Sequence, residues 1–155
     1  MKEFDYKLDY KKLNFKDPKI RKLYRIGRGE QGVLLVRPYT NFICRYWRFK
    51  TLKEAIHSST RIKMLYNYFR AKKDFIGMDM CRKFLEMGFT RARRYANHKD
   101  GKKYDKDGKI LPQEKDWATS EKAKSAQRFK DFRDLVTQDE FYITMRKKWR
   151  ASESI

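Results

Sequence analysis

The residues best equipped for chemistry lie between positions 82 and 99. Arg82 and Lys83 are followed by Thr90-Arg91-Ala92-Arg93-Arg94-Tyr95-Ala96-Asn97-His98-Lys99. At helical spacing Arg91, Arg94 and His98 share one stripe, Lys83 lies two turns earlier roughly in line with Arg91, and Arg93 with Asn97 forms the neighbouring row. Cations one turn apart can meet successive phosphates, and the planar guanidinium fork suits a phosphate better than an ammonium does. Asn97 and His98 can add hydrogen bonds to a base or a sugar, and Lys102 and Lys103 continue the basic run. The competing reading pairs these arginines with acids elsewhere in the fold, and such acids are scarce.

The second feature is Gly27-Arg28-Gly29-Glu30-Gln31-Gly32. It matches G-x-G-x-x-G in form, but a dinucleotide site needs a strand before the loop and a helix after it. Here an apolar run follows, and no kinase-like V-A-I-K or H-R-D comes later. Two readings stay open. The loop is either a nest of backbone amides for a phosphate, flanked by Arg25 and Arg28, or a tight connection that needs positive φ.

Support for catalysis is thin. Glu30 and His98 are the candidate base and acid for phosphodiester cleavage, provided the fold brings both to one cleft. His57 reads as structural or exposed. Asp100, Asp105 and Asp107 lack the later Glu of a calcium loop, so neither a metal nor another cofactor is expected.

Net charge frames these features. The 155 residues carry 40 Lys+Arg against 20 Asp+Glu, a formal +20. That much like charge repels itself in a compact state, and a bound polyanion relieves the repulsion. Nucleic acid, DNA or RNA, is the expected partner, contacted at its phosphate backbone; an acidic host or defence protein is the alternative, and a small nuclease the third reading. Residues 82–109 hold 10 basic and 4 acidic side chains, whereas residues 110–155 hold 10 and 8, so the functional charge lies upstream of the C-terminal third.

Aromatic residues make up 15% of the chain, enough to build one core without help from disulfides or metals. Cys44 and Cys81 read as free thiols in a reducing compartment. The charged start, MKEFDYKLDY, is not a signal peptide, and no run approaches a membrane span, so a cytoplasmic protein without a membrane partner is expected.

The elements that would position the site read as α+β, with β first and helices after. Phe4, Tyr6, Leu8 and Tyr10 alternate with polar residues, which suggests an extended segment. Val33–Val36 and Ile43–Phe49 read as two strands of a small hairpin. About four helices pack against this sheet. One starts at a capping box, Thr51 with Glu54, and runs to about Lys73; a second is capped by Asp74, with Gly88 as a kink or stop; two more cover about 120–136 and 138–151, with Thr137 and Glu140 as another capping box. Residues 99–117 read as an exposed loop, and 118–155 as a helical C-terminal extension of a single domain spanning 1–155.

FDYKLDYKKLNF at 4–15, YRIGRGEQGVLLVRPY at 24–39, WRFKT at 47–51 and CRKFLEMGFTRARRYANHK at 81–99 together resemble an uncharacterised family of bacteria and tailed phages. The resemblance spans most of the first 105 residues. It implies a free-standing cytoplasmic protein and, for a phage-encoded copy, an accessory role inside the infected cell. It marks the glycine-rich loop and the RARRYANHK segment as hallmarks and transfers no catalytic residue.

Overall fold

Four polar side chains start the long helices. In the computed structural model, which describes residues 2–153, Thr51 accepts from the Glu54 N–H (3.1 Å), Asp74 from Gly77 (3.2 Å), Ser120 from Ala123 (3.2 Å) and Asp139 from Phe141 (3.1 Å). Each satisfies an amide that the first turn leaves without a partner. The helices are α1 (Pro18–Arg21), α2 (Tyr39–Cys44), α3 (Leu52–Ala71), α4 (Phe75–Asn97), α5 (Glu121–Thr137) and α6 (Glu140–Glu153), with a short 3₁₀ turn at Tyr10–Lys12. The last cap is Asp139 and not Thr137, whose hydroxyl donates instead to the Asp134 carbonyl (3.3 Å).

The α+β expectation is overturned. Among the described residues there is no strand and no hairpin, only one isolated bridge between Tyr104 and Ile110. The run expected as the first strand forms successive turns, in which the amides of Gln31, Val33 and Leu35 donate to carbonyls three residues back (3.0–3.1 Å). Its burial shows why. Val33 and Val36 are buried while Leu34 is 49% exposed, so the core side recurs every third residue and not every second. In the second expected strand, Ile43 and Cys44 end α2, and the Arg48 amide finds the Ser58 hydroxyl (3.0 Å) in place of a neighbouring strand. At the N-terminus Phe4 and Tyr10 are buried but Tyr6 is 59% exposed, and the segment is irregular.

Helix α4 is the axis of the molecule, about 35 Å long. From Phe75 to Leu85 every side is enclosed, because α3 and α5 flank it and α2 and α6 close the remaining faces. Two glycines let rings lie directly on its backbone. A Cβ at Gly77 would stand 2.3 Å from the Phe69 ring of α3, and one at Gly88 would stand 2.4 Å from the Phe129 ring of α5. Gly88 is thus a packing position inside a continuous helix. Phe129 and Val136 of α5 and Tyr142 of α6 join the same core as Phe4, Phe15 and Ile26, so the C-terminal helices are built into the body of the fold. No helix among the described residues is long and apolar enough to cross a membrane.

Candidate nucleic-acid interface

Asp79 of α4 is fully buried. It accepts from the Tyr142 hydroxyl (2.6 Å), from Arg82 Nε (3.0 Å) and Nη2 (2.9 Å), and from the Tyr24 hydroxyl, while Lys83 Nζ lies 4.0 Å away. Burial by itself would raise the Asp79 carboxyl; the charges of Arg82 and Lys83, with the two hydroxyls, hold it below the usual carboxylate range.

The same cations reach out to the glycine-rich loop. Arg82 donates to the Gly29 carbonyl, and Lys83 donates to the carbonyls of Gln31 (2.7 Å) and Arg25 (3.3 Å). From α6, Trp149 donates to the Tyr24 carbonyl (3.0 Å), Arg150 to that of Gly27 (2.8 Å), and Glu153 accepts from the Ile26 amide (3.0 Å). A loop that carries its polar backbone this close to a core requires such partners. Gly27, Gly29 and Gly32 take φ of +68°, +53° and +76°, so the tight connection is present.

Burial pushes the Lys83 ammonium down to about 7, an effect to which Arg82 and Arg150 add and which Asp79 opposes. A neutral amine keeps two hydrogens, enough for both carbonyls. Between pH 7 and the ordinary lysine range the unfolded chain holds a proton that the native state releases. Stability is therefore expected to rise with pH across that window. Thermal melts at pH 7 and pH 9 check this: the midpoint should rise in the natural protein and stay level in Lys83→Met.

On its outer side the loop meets the second half of α4. The Glu30 carboxylate accepts from the Thr90 hydroxyl (2.8 Å), which fixes the loop against the helix. Arg28, Glu30, Gly32, Met87 and Arg91 border a cleft of about 370 Å³ at this junction. Arg28 and Arg91 are exposed there, and Arg28 also makes an exposed ion pair with Glu3 (3.4 Å). Such a pair contributes little and is readily exchanged for another anion. Gly29, on the other flank of the loop, borders a second cleft of about 430 Å³ with Arg82, Arg133, Tyr142, Arg146 and Lys147.

Past Gly88 the helix becomes one-sided, with Ala92 and Ala96 inward and Arg91, Arg94 and Tyr95 outward. Arg93 is half-buried and donates to the Trp117 carbonyl (2.7 Å) and to Asn97 Oδ1 (3.5 Å). The Asn97 carbonyl accepts from the Glu114 amide (2.7 Å), and the Glu114 carboxylate accepts from the Lys99 amide (3.0 Å). The far end of the loop over 99–117 is thereby pinned to the end of α4, and Lys99, Lys102 and Lys103 stand exposed.

Of the cations expected at phosphates, the structure brings Arg28, Arg91, Arg94, Lys99, Lys102 and Lys103 to the surface, while Arg25 is half-buried. Arg82 and Lys83 are enclosed and spent on Asp79 and the loop, so they are not surface phosphate contacts. His98 leaves the helix in an extended conformation (φ −140°, ψ 115°), which turns its ring inward to 7% exposure. A base or sugar contact from His98 is thus removed, and Asn97 serves the loop anchor. Glu30 and His98 do not meet: the carboxylate is beside Thr90, eight residues and about 12 Å of helix before His98. The proposed acid–base pair is not assembled.

Asp79, Tyr24, Tyr142, Arg150 and Glu153 escaped the reading of the sequence. One signal was available, since Asp79 is the single acid in the apolar run 75–85 and stands three and four residues before Arg82 and Lys83.

The family described as Domain of unknown function (DUF4385) matches residues 5–152. No curated protein and no solved structure matches the chain.

Proposed function

The chain belongs to the DUF4385 family, and from its surface we propose that it binds nucleic acid through the phosphate backbone at the outer half of α4 and the adjoining glycine-rich loop. The observation that carries this reading is the state of Arg91 and Arg94. Both are exposed, and neither makes an ion pair or hydrogen bond among the described residues, although the fold uses acids elsewhere to hold Arg21, Arg70, Arg82 and Arg133. Cations left free at a surface of a +20 chain cost self-repulsion that a polyanion removes. Arg28 across the cleft and Lys99, Lys102 and Lys103 beyond the helix end extend the same surface.

With about 4–6 phosphates neutralised, log affinity is expected to fall with log salt at a slope of about −3 to −5. Replacing Arg91 and Arg94 together with Ala should weaken binding to all sequences alike and make the slope shallower by about 1.5–2. A gel-shift series over salt reads both. No retardation of DNA or RNA at low salt would sink the reading.

A different surface favours an acidic protein partner. Phe141, Met145 and Trp149 line a groove of about 410 Å³ that also carries Lys73 and Lys148, while Arg21 in the same groove is already paired with Asp74. Apolar anchors beside cations suit an acidic, amphipathic segment. The absorbance ratio at 260 and 280 nm of protein purified without nuclease separates the two readings. Co-purifying nucleic acid that survives moderate salt supports the first, and a stoichiometric acidic protein without nucleic acid supports the second.

A further inference from the structure

We infer that the nucleic acid is single-stranded and that its bases stack on Trp117 and Tyr104. The inference rests on the nucleic-acid reading above and specifies its ligand. Three rings stand out within residues 95–117: Tyr95 is 38% exposed, Trp117 45% and Tyr104 53%. Large aromatic rings lose transfer free energy when left in water, and exposed rings bordered by cations suit a ligand that offers stackable faces and negative charge. Here they share their segment with exposed Arg94, Lys99, Lys102 and Lys103.

The rings are held and not merely hung on a loop. The Trp117 carbonyl takes the Arg93 guanidinium (2.7 Å), its amide donates to the Glu114 carbonyl (3.2 Å), and Glu114 is bonded to the end of α4. Tyr104 sits in the one bridge among the described residues, opposite Ile110, with the Leu111 amide donating to the Lys103 carbonyl (2.7 Å). Lys103 Nζ lies 5.6 Å from the Tyr104 ring centre. Tyr95 is wedged between the Phe49 ring, 6.0 Å away, and the backbone of Gly101, where a Cβ would come within 2.8 Å of it. Its outer edge is what remains for a ligand.

Aromatic rings interleaved with cations form the surface that tracks a single strand, because every unpaired base offers a π-face whatever its identity. A duplex keeps those faces inside its own stack and shows such a surface only phosphates. Exposed rings would then add nothing for duplex and a great deal for a single strand.

Trp117 supplies the probe. The full chain is titrated at one salt concentration with oligo(dT), oligo(U) and a duplex of equal length, reading tryptophan fluorescence and, separately, filter retention. The expected result is quenching by a single strand, affinity at least about tenfold above duplex, and a loss of about 5- to 150-fold in Trp117→Ala. Trp117→Phe, which keeps a ring, should stay within a few-fold of the natural protein, and Tyr104→Ala should repeat the loss. Preference for either oligo(dT) or oligo(U) over duplex supports the inference. Duplex bound as tightly as single strand, or both Ala variants binding single strand normally, overturns the stacking inference and leaves phosphate binding standing. Retention of none of the three ligands overturns both.

Discussion

Replacing Asp79 with Ala is expected to remove about 3–5 kcal/mol of stability, a large part of what a domain of this size possesses. The carboxylate is the shared acceptor for Tyr24, Tyr142 and Arg82, and it stands 4.0 Å from Lys83. Without it, buried Arg82 loses its counter-charge, Lys83 is driven further toward its neutral form, and two buried hydroxyls lose an acceptor. Asp79→Asn keeps an acceptor oxygen but not the charge and should fall between the two. Equilibrium unfolding in urea measures both variants. A loss below about 1 kcal/mol for the Ala variant would mean that the network does not hold the fold together.

Gly32→Ala is expected to cost about 2–5 kcal/mol by adding two independent penalties. The backbone at Gly32 has φ of +76°, which costs a residue with a side chain about 1–2 kcal/mol. The new methyl would lie 2.2 Å from the Phe4 ring, and displacing packed atoms costs about 1–3 kcal/mol more. Gly29 supplies the control, since its φ is +53° but a Cβ there meets nothing within 4 Å. Gly29→Ala should therefore show the backbone penalty alone. Equal melting temperatures for the two variants would refute the steric part. The Phe4 ring also lies 5.1 Å from Lys83 Nζ, so a displaced ring disturbs the lysine that fastens the loop.

The long helices were legible because local signals and burial agree there. Thr51 and Asp74 cap where expected, and the apolar positions of α3 recur at helical spacing. The apolar run at 33–36 was misread for want of length, since four residues cannot distinguish period two from a succession of turns. Their burial at 33 and 36 decided the matter only in three dimensions. At the candidate interface the helical stripe was right as geometry and wrong as exposure. A stripe drawn through Lys83, Arg91 and Arg94 assumes that one face of α4 sees the same surroundings throughout. Neighbouring helices enclose its first turns, so Lys83 is fully buried while Arg91 and Arg94 are exposed. The partners that swallow Arg82 and Lys83 come partly from the glycine-rich loop, more than fifty residues earlier, and no local pattern announces them.

The clamp on that loop also sets an order of events during synthesis. The Ile26 amide and the Glu153 carboxylate that binds it are separated by 127 residues, and Trp149 and Arg150 reach back almost as far. A nascent chain exposes the loop long before its last three fasteners have left the ribosome. Helices α3, α4 and α5 pack through contacts nearer in sequence and can assemble first, as short-range contacts close sooner than long-range ones. The loop is then expected to gain its last fasteners, those from Trp149, Arg150 and Glu153, when α6 docks. Fragments that stop before residue 149 should keep a helical core but hold the glycine-rich loop only through Arg82, Lys83 and Thr90, leaving Arg28 less firmly placed in the basic surface.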